Sequence, residues 1–263
     1  MPVAITRAIS RTLADCELSF VNREPIDLAL ARRQHHAYED ALESLGCRVI
    51  ALPAEDGFPD AVFVEDVAVV LDEIAIRMRP GAASRRGEVP SVAVALQPYR
   101  TLREIEPPGT LDGGDVLRVG RTLYVGQSAR SNAPGIEQLR QLVCDEALHG
   151  HGYTVRPVPV RACLHLKSAV TQVDEDTVLI NPAWVDRAEF TNLRQIAVDA
   201  AEPHAANALR IGNAVIYPAC FPRTSERLAG AGIAVTSVDV SELQKAEGAV
   251  TCCSLVFEVP ART

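Results

Sequence analysis

The sequence predicts an α/β chain folded as a five-bladed α/β propeller of ββαβ units, with the ring closed by its N- and C-terminal segments. Three observations carry that expectation. A unit of two strands, a helix and a third strand recurs, its opening strands roughly 40–53 residues apart, the period range of propeller blades. The fifth opening strand, VTCCSLVF (Val250 to Phe257), has no chain left to complete its unit. The missing pieces stand at the other end of the chain, and joining the two termini hides edge strands that would otherwise be free to pair.

Taken in order, VAITRAI (Val3 to Ile9) is the second strand of that shared unit. Its helix runs over Asp27–Leu45: Asp27 caps the start, Ala31, Tyr38, Leu42 and Leu45 recur at helical spacing, and Gly46 follows the end. RVIAL (Arg48 to Leu52) is its third strand. FVEDVAVVL (Phe63 to Leu71), apolar and β-branched, opens the next unit, continued by IAIRM, a helical or polar stretch, and TLREI. GGDVLRV (Gly113 to Val119), TLYV, a helix near Asn132–Val143 and TVRPV make another. LHLKSAVTQV (Leu164 to Val173) leads into TVLI, PAWVDRAEF and QIAV, and HAANALRI leads into AVIYP, RTSERLAG and IAVTSVDV. The same segments would also fit a plain α/β sheet with irregular connections.

Length and composition agree with one soluble catalytic domain over residues 1–263, because no linker interrupts the repeat. Twenty-six basic against thirty-four acidic residues leave a net charge of -8, which argues against nucleic acid as a partner. Apolar runs are short and broken by charge, so no membrane segment is expected, and MPVAITRAIS lacks the pattern of a secretory signal. Seven scattered cysteines without CxxC spacing suggest neither a disulfide framework nor a zinc module. The expectation is a cytoplasmic protein with reduced thiols and no metal, whose outer helices leave a homodimer open. His149 and His151 read as an exposed loop, and His35 and His36 as residues on a helix face.

Each opening strand begins with polar residues: Glu65 and Asp66, Asp112 and Asp115, His165 and Lys167, Asn207, then Cys252 and Cys253. Equivalent positions of a ring converge near its axis, so these clusters form one pocket. Buried charge is costly unless paired or used, and the repeated position therefore argues for function. A thiol attacks carbon once it becomes a thiolate, a histidine shuttles the proton, and a carboxylate orients that histidine. Two further acids facing the thiol suit a planar cation, and a guanidinium fits because its N–H groups pair with carboxylates in bidentate fashion. Such a cation would itself stabilise the thiolate, so activation would await binding. The glycines at 113 and 114 permit close backbone approach there.

Six segments in order, PDAVFVEDVAVV, RPGAASRRGEV, PGTLDGGDVL, LHLKS, FPRTSERL and EGAVTCCSL, resemble the dimethylarginine dimethylaminohydrolases (dimethylargininases) of the amidinotransferase or pentein superfamily. The resemblance spans Ile5 to Phe257 and implies a five-bladed propeller. It implies that Cys252 is the nucleophile, His165 the general acid and base, and Asp112 the acid supporting that histidine. Asp66, with Glu65 beside it, would grip the guanidinium. Asp60 would bind the substrate α-amino group, Arg85 and Arg130 its α-carboxylate, and Leu18 and Phe63 would cover its sides. The implied reaction hydrolyses a methylated arginine to citrulline and a methylamine through a covalent thiouronium, with no cofactor. Residues Ser10–Pro25, the expected lid, match the family only loosely. Arginine deiminase or amidinotransferase activity on another guanidine is the alternative within the fold, and a non-enzymatic propeller binding protein the alternative outside catalysis.

Overall fold

The computed structural model describes residues 1–143 and 152–259. Cys144, His149 and His151 lie outside the described residues, and with them the expected exposed loop.

Short apolar strands pair into five three-stranded sheets. In chain order these use β1 (Pro2–Arg7), α1 (Leu28–Ser44) and β2 (Arg48–Leu52), then β3 (Ala68–Val70), β4 (Ile74–Arg77), α2 (Val89–Leu96) and β5 (Thr101–Glu104). Next come β6 (Val116–Val119), β7 (Thr122–Gln127), α3 (Ala133–Val143) and β8 (Thr154–Pro159). They are followed by α4 (Leu166–Ala169), β9 (Val170–Asp174), β10 (Thr177–Ile180) and β11 (Arg194–Ala197). The remainder holds β12 (Leu209–Ile211), β13 (Ala214–Pro218), α5 (Pro222–Gly230), β14 (Ala234–Val238), α6 (Ser241–Gln244) and β15 (Leu255–Glu258). In every sheet the opening strand is antiparallel to the second, and the second is parallel to the third. A parallel pair needs a crossover. α1, α2, α3 and α5 supply four of them, and a 3-10 turn at Arg187–Phe190 lies in the fifth. The termini close the ring as expected: β15 pairs with β1, Val3 opposite Phe257 and Ile5 opposite Leu255.

Apolar packing repeats the same cyclic order. Val3, Ile5 and Phe257 of the first blade pack with Ala75, Val92 and Leu96 of the second. Ile74 and Ile76 pack with Leu123, Val125 and Leu139, and Leu117 and Tyr124 with Val170, Val178 and Phe190. Val173 and Leu179 join Val215, Tyr217 and Leu228, while Ile216 and Val238 return to Tyr38 and Leu42 on α1. Each blade thus buries its apolar surface against both neighbours, at about 1.5–3 kcal/mol per large side chain. No blade can be removed without exposing two such clusters.

The first helix forms as its sequence dictates. Asp27 accepts from the amides of Ala29 and Leu30, each at 2.9 Å, and Gly46 takes a φ of +88° just past the end. One of its histidines departs from expectation. His36 is exposed, but His35 is buried and stacks on Tyr38, with Glu39 3.4 Å away.

A second departure is systematic. The opening strands start later than the sequence suggests, at Ala68, Val116, Val170, Leu209 and Leu255. The polar residues before them sit on or beside short turns instead: 3-10 turns at Val64–Val67 and Gly113–Asp115, which Asp112 precedes, the single helical turn α4, which His165 precedes, irregular chain at Asn207 and a turn at Thr251–Cys253. The reason is geometric. A strand sends successive side chains to opposite faces, whereas a turn gathers neighbouring side chains at one end of the blade.

Candidate active site

Those five segments are stitched to one another around the axis. The Glu65 amide donates to the Cys252 carbonyl at 3.1 Å. The Gly114 amide donates to Asp66 Oδ1 at 3.1 Å, and the Leu166 amide to Asp115 Oδ1 at 2.9 Å. Asn207 Nδ2 then donates to the Lys167 carbonyl at 3.0 Å and to Thr251 Oγ1 at 2.9 Å, which returns the ring to the turn of Cys252. The two glycines matter here. A Cβ on Gly113 would lie 1.9 Å from the Glu65 carbonyl oxygen, and one on Gly114 only 2.6 Å from both Asp66 Oδ1 and His165 Nδ1. Only residues without a side chain let the turns approach so closely.

At the centre, His165 lies between two carboxylates. Its Nε2 is 3.0 Å from Asp112 Oδ2 and its Nδ1 is 3.7 Å from Asp66 Oδ1, all three residues being buried. Asp112 is held in turn, accepting from the Gly81 amide at 2.8 Å and donating its own amide to Ser131 Oγ at 3.2 Å. Burial works against a charged imidazole, yet Asp66, Asp112 and Asp115 overcome it and raise His165 to about 9. Burial likewise opposes the Asp66 carboxylate, but the His165 and Arg85 cations hold it down at about 2. Asp66 and His165 therefore stand as an ion pair at neutral pH.

Cys252 is half-buried, and its carbonyl anchors the residue next to Asp66. Burial, then the Glu65 and Asp66 carboxylates, push its thiol far above the ordinary range. The resting sulfur is a protonated thiol facing fixed negative charge, so an arriving cation is what would favour the thiolate. Asp66 is the group that both the thiol and the imidazole sense.

Glu65 has a different task from its neighbour. One oxygen pairs with Lys167 Nζ and the other accepts from Thr251 Oγ1 at 2.8 Å. This ion pair spans the ring and borders an axial cavity of about 680 Å³ lined by the inner strands of all five blades. None of Cys252, His165, Asp66 and Asp112 lines that cavity, so it is separate from the reactive cluster.

Arg85 is also turned inward. It donates to Asp66 Oδ2, to Glu88 through Nε and Nη2, and to the carbonyls of Asp60 at 3.3 Å and Phe63 at 3.0 Å. The guanidinium is engaged by the buried Asp66 and Glu88 side chains, burial raising Glu88 to about 7 against the pull of Arg85. Arg130 remains at the rim, half-buried, with Nη2 3.2 Å from Ser19 Oγ. Asp60 is buried, which raises its carboxyl against the pull of Arg85, and it accepts the Glu17 amide at 3.1 Å. Phe63 is buried in the apolar cluster against which Leu18 and Cys252 pack. Gly248 gives its ring room, since a Cβ there would lie 2.1 Å from it.

The ligand atoms of Asp66, Asp112 and His165 lie within 4.8 Å of one another, the only such trio among the described residues. The imidazole, held in its charged form between the two acids, has no nitrogen lone pair left for a metal.

Several residues escaped the sequence reading as site members. Lys167, Asp115 and Asn207 stood at the repeated polar position, which was the available signal. Ser128 and Ser131, which both donate to Asp115 Oδ2, and Glu88 behind Arg85 sit in connecting segments with no such signal.

Known proteins resemble this fold and sequence over nearly the whole chain. The chain is 37% identical over 255 residues to the N(G),N(G)-dimethylarginine dimethylaminohydrolase of Pseudomonas aeruginosa, spanning 96% of this chain and 98% of that one. It is 38% identical over 254 residues to the protein of the same name from Streptomyces coelicolor, spanning 96% and 95%. A model of the arginine deiminase family matches residues 94–217. Among solved structures, a dimethylarginine dimethylaminohydrolase histidine-to-glycine variant carrying an adduct with S-methyl-L-thiocitrulline superposes with a TM-score of 0.89 at 37% identity, over 97% of this chain and 98% of that one. A cysteine-to-serine variant of the Pseudomonas aeruginosa enzyme complexed with citrulline superposes equally, with the same score, identity and coverage.

Proposed function

The chain belongs to the dimethylarginine dimethylaminohydrolase family, and from that premise we propose that its site hydrolyses an N-omega-methylated arginine to citrulline and a methylamine. The observation that carries this reading is Asp66, a carboxylate held at about 2 that lies 3.7 Å from the His165 imidazolium and whose charge also raises the Cys252 thiol. A planar cation entering beside it supplies the positive charge that the thiol lacks.

Substrate guanidinium binds against Asp66, and Cys252 loses its proton to solvent to become the thiolate, His165 being protonated already. The sulfur attacks the guanidinium carbon, forming a C–S bond, and the carbon becomes tetrahedral. His165 donates its proton to the methylated nitrogen, the C–N bond breaks, and methylamine or dimethylamine leaves. An S-alkylthiouronium remains on Cys252. Water then loses a proton to His165 and adds to the same carbon, and the C–S bond breaks to release citrulline and the thiol. Asp112 holds the imidazole in place by its contact at 3.0 Å and stabilises its charged form.

Asp60 and Arg130 at the rim receive the α-amino and α-carboxylate groups in this reading. Arg85 takes part through Asp66, which it keeps ionised and in position. Glu65 helps the guanidinium only by its fixed charge, since both its oxygens are engaged. Leu18 and Phe63 form the apolar wall. The protein acts in the cytoplasm, where its free thiols stay reduced; its small-molecule partner is the guanidine, and the sequence leaves a homodimer through the outer helices open. Among the described residues no helix is long and apolar enough to cross a membrane.

The test is a substrate panel of mono- and dimethylated arginines, arginine and agmatine, with citrulline measured as product where the substrate is an amino acid. Methylated arginine is expected to be turned over and Cys252→Ser to bind it without turnover. Citrulline from arginine alone would overturn the reading.

A further inference from the structure

The loop that delivers Cys252 also grips the segment covering the site. Residues 16–26 carry no helix or strand, yet their backbone is held at several points. The Glu247 carboxylate accepts from three successive amides of that segment: Ser19 at 2.9 Å, Phe20, and Val21 at 2.8 Å. Two residues earlier in the same turn, Lys245 Nζ donates to the Pro25 carbonyl at 3.1 Å. Glu247 has a φ of +58°, one of only two non-glycine residues with positive φ among those described. A residue with a Cβ is disfavoured there, and glycine would serve if only the turn mattered. What glycine could not supply is the carboxylate.

The gripped segment reaches the rim groups. The Glu17 amide donates to Asp60 and Ser19 Oγ accepts from Arg130, the two residues that the proposed function assigns to the amino-acid end of the substrate. Glu17 is further tied to Ser84 Oγ at 2.5 Å. The covering segment is therefore fixed on one side by the rim residues and on the other by the nucleophile's own loop.

We propose that Glu247 is a positioning residue that latches the covering segment shut, so that its carboxylate sets affinity for substrates bearing an α-amino acid end and leaves the reactivity of Cys252 toward a bare amidine untouched. The proposal rests on the site reading above. Three amides converging on one carboxylate form a small anion nest, and Ser19 is presented to Arg130 only while that nest is filled.

The experiment compares wild type with Glu247→Gln, which loses the charge, and Glu247→Gly, which also relieves the backbone. Glu247→Asp retains a carboxylate. Steady-state turnover of dimethylarginine, alkylation of Cys252 by a small haloamidine, and tryptic cleavage after Arg23 are measured for each. Both Gln and Gly variants are expected to raise KM by about tenfold or more with kcat changed less than about threefold, the pattern of lost uniform binding. Haloamidine labelling stays at the wild-type rate, cleavage after Arg23 accelerates, and the Asp variant recovers part of the loss. Unchanged KM in both variants, or labelling that falls in step with turnover, would overturn the latch. Should wild type fail to turn over any methylated arginine, the proposed function fails, and the tryptic comparison alone still decides whether Glu247 holds the segment.

Discussion

Replacing Asp66 by Asn tests the electrostatic centre of the site directly. The carboxylate oxygen sits 3.7 Å from His165 Nδ1 with both groups buried. At that separation and an effective dielectric of about 20, the attraction is about 4.5 kcal/mol, an upper bound equivalent to roughly three pH units. Asp112 and Asp115 stay in place and Arg85 loses one anion, so part of the effect is offset. The imidazole, which titrates at about 9 in the wild type, is expected to titrate near 7 in the variant, to within about a unit. At pH 8 it would pass from roughly nine-tenths to roughly one-tenth protonated. The assay is a histidine NMR titration, with the His165 resonance assigned among the six histidines through His165→Gln. A stability measurement gives a second readout. A raised histidine pKa stabilises the fold fully below its ordinary 6.5, and that contribution disappears as pH rises through about 9. The wild type should lose about 3 kcal/mol from this group across that window, and Asp66→Asn much less. A wild-type His165 that titrates near 6.5, or one that stays near 9 in Asp66→Asn, would refute the reasoning.

Three further outcomes are expected. Gly114→Ala places a methyl 2.6 Å from both His165 Nδ1 and Asp66 Oδ1, so it should keep the fold by circular dichroism while turnover falls by about a hundredfold or more. Lys167→Met leaves Glu65 buried without its cation and should lower unfolding free energy by about 3 kcal/mol in urea titration, with Glu65→Gln in the same background recovering most of it. Neutral iodoacetamide should alkylate Cys252 slowly at pH 7 and faster as pH rises, whereas a cationic haloamidine labels it readily at pH 7. Equal rates at pH 7, read by intact mass, would contradict a thiol held protonated by burial and by the Glu65 and Asp66 charges.

The repeat was legible because each blade uses the same alternation of short apolar strand, crossover and strand, and because a helix such as α1 carries its own start and stop signals at Asp27 and Gly46. The polar residues that begin each unit were legible as a set, and Gly113 and Gly114 were legible as points of close approach. Their local conformation was not. FVED reads as strand by residue type, but Glu65 and Asp66 lie on a 3-10 turn whose amides answer to Cys252 and Phe63, residues on other segments or further back in the chain. His35 shows the same limit on a helix: periodicity places it beside buried Gln34, and only packing against the sheet decides that it is covered.

By itself the sequence determined the number of blades, the closure of the ring by its ends, and which side chains gather at the axis, because all three follow from a repeated pattern written in local residue types. The division of labour among those side chains came only with tertiary structure. Adjacent acids Glu65 and Asp66 are chemically alike, yet one is spent on Lys167 and the other faces His165, and Arg85 lies inside behind Asp66 while Arg130 stays at the rim. Charge partners and burial are properties of distances between remote segments, and the linear order of residues does not carry those distances.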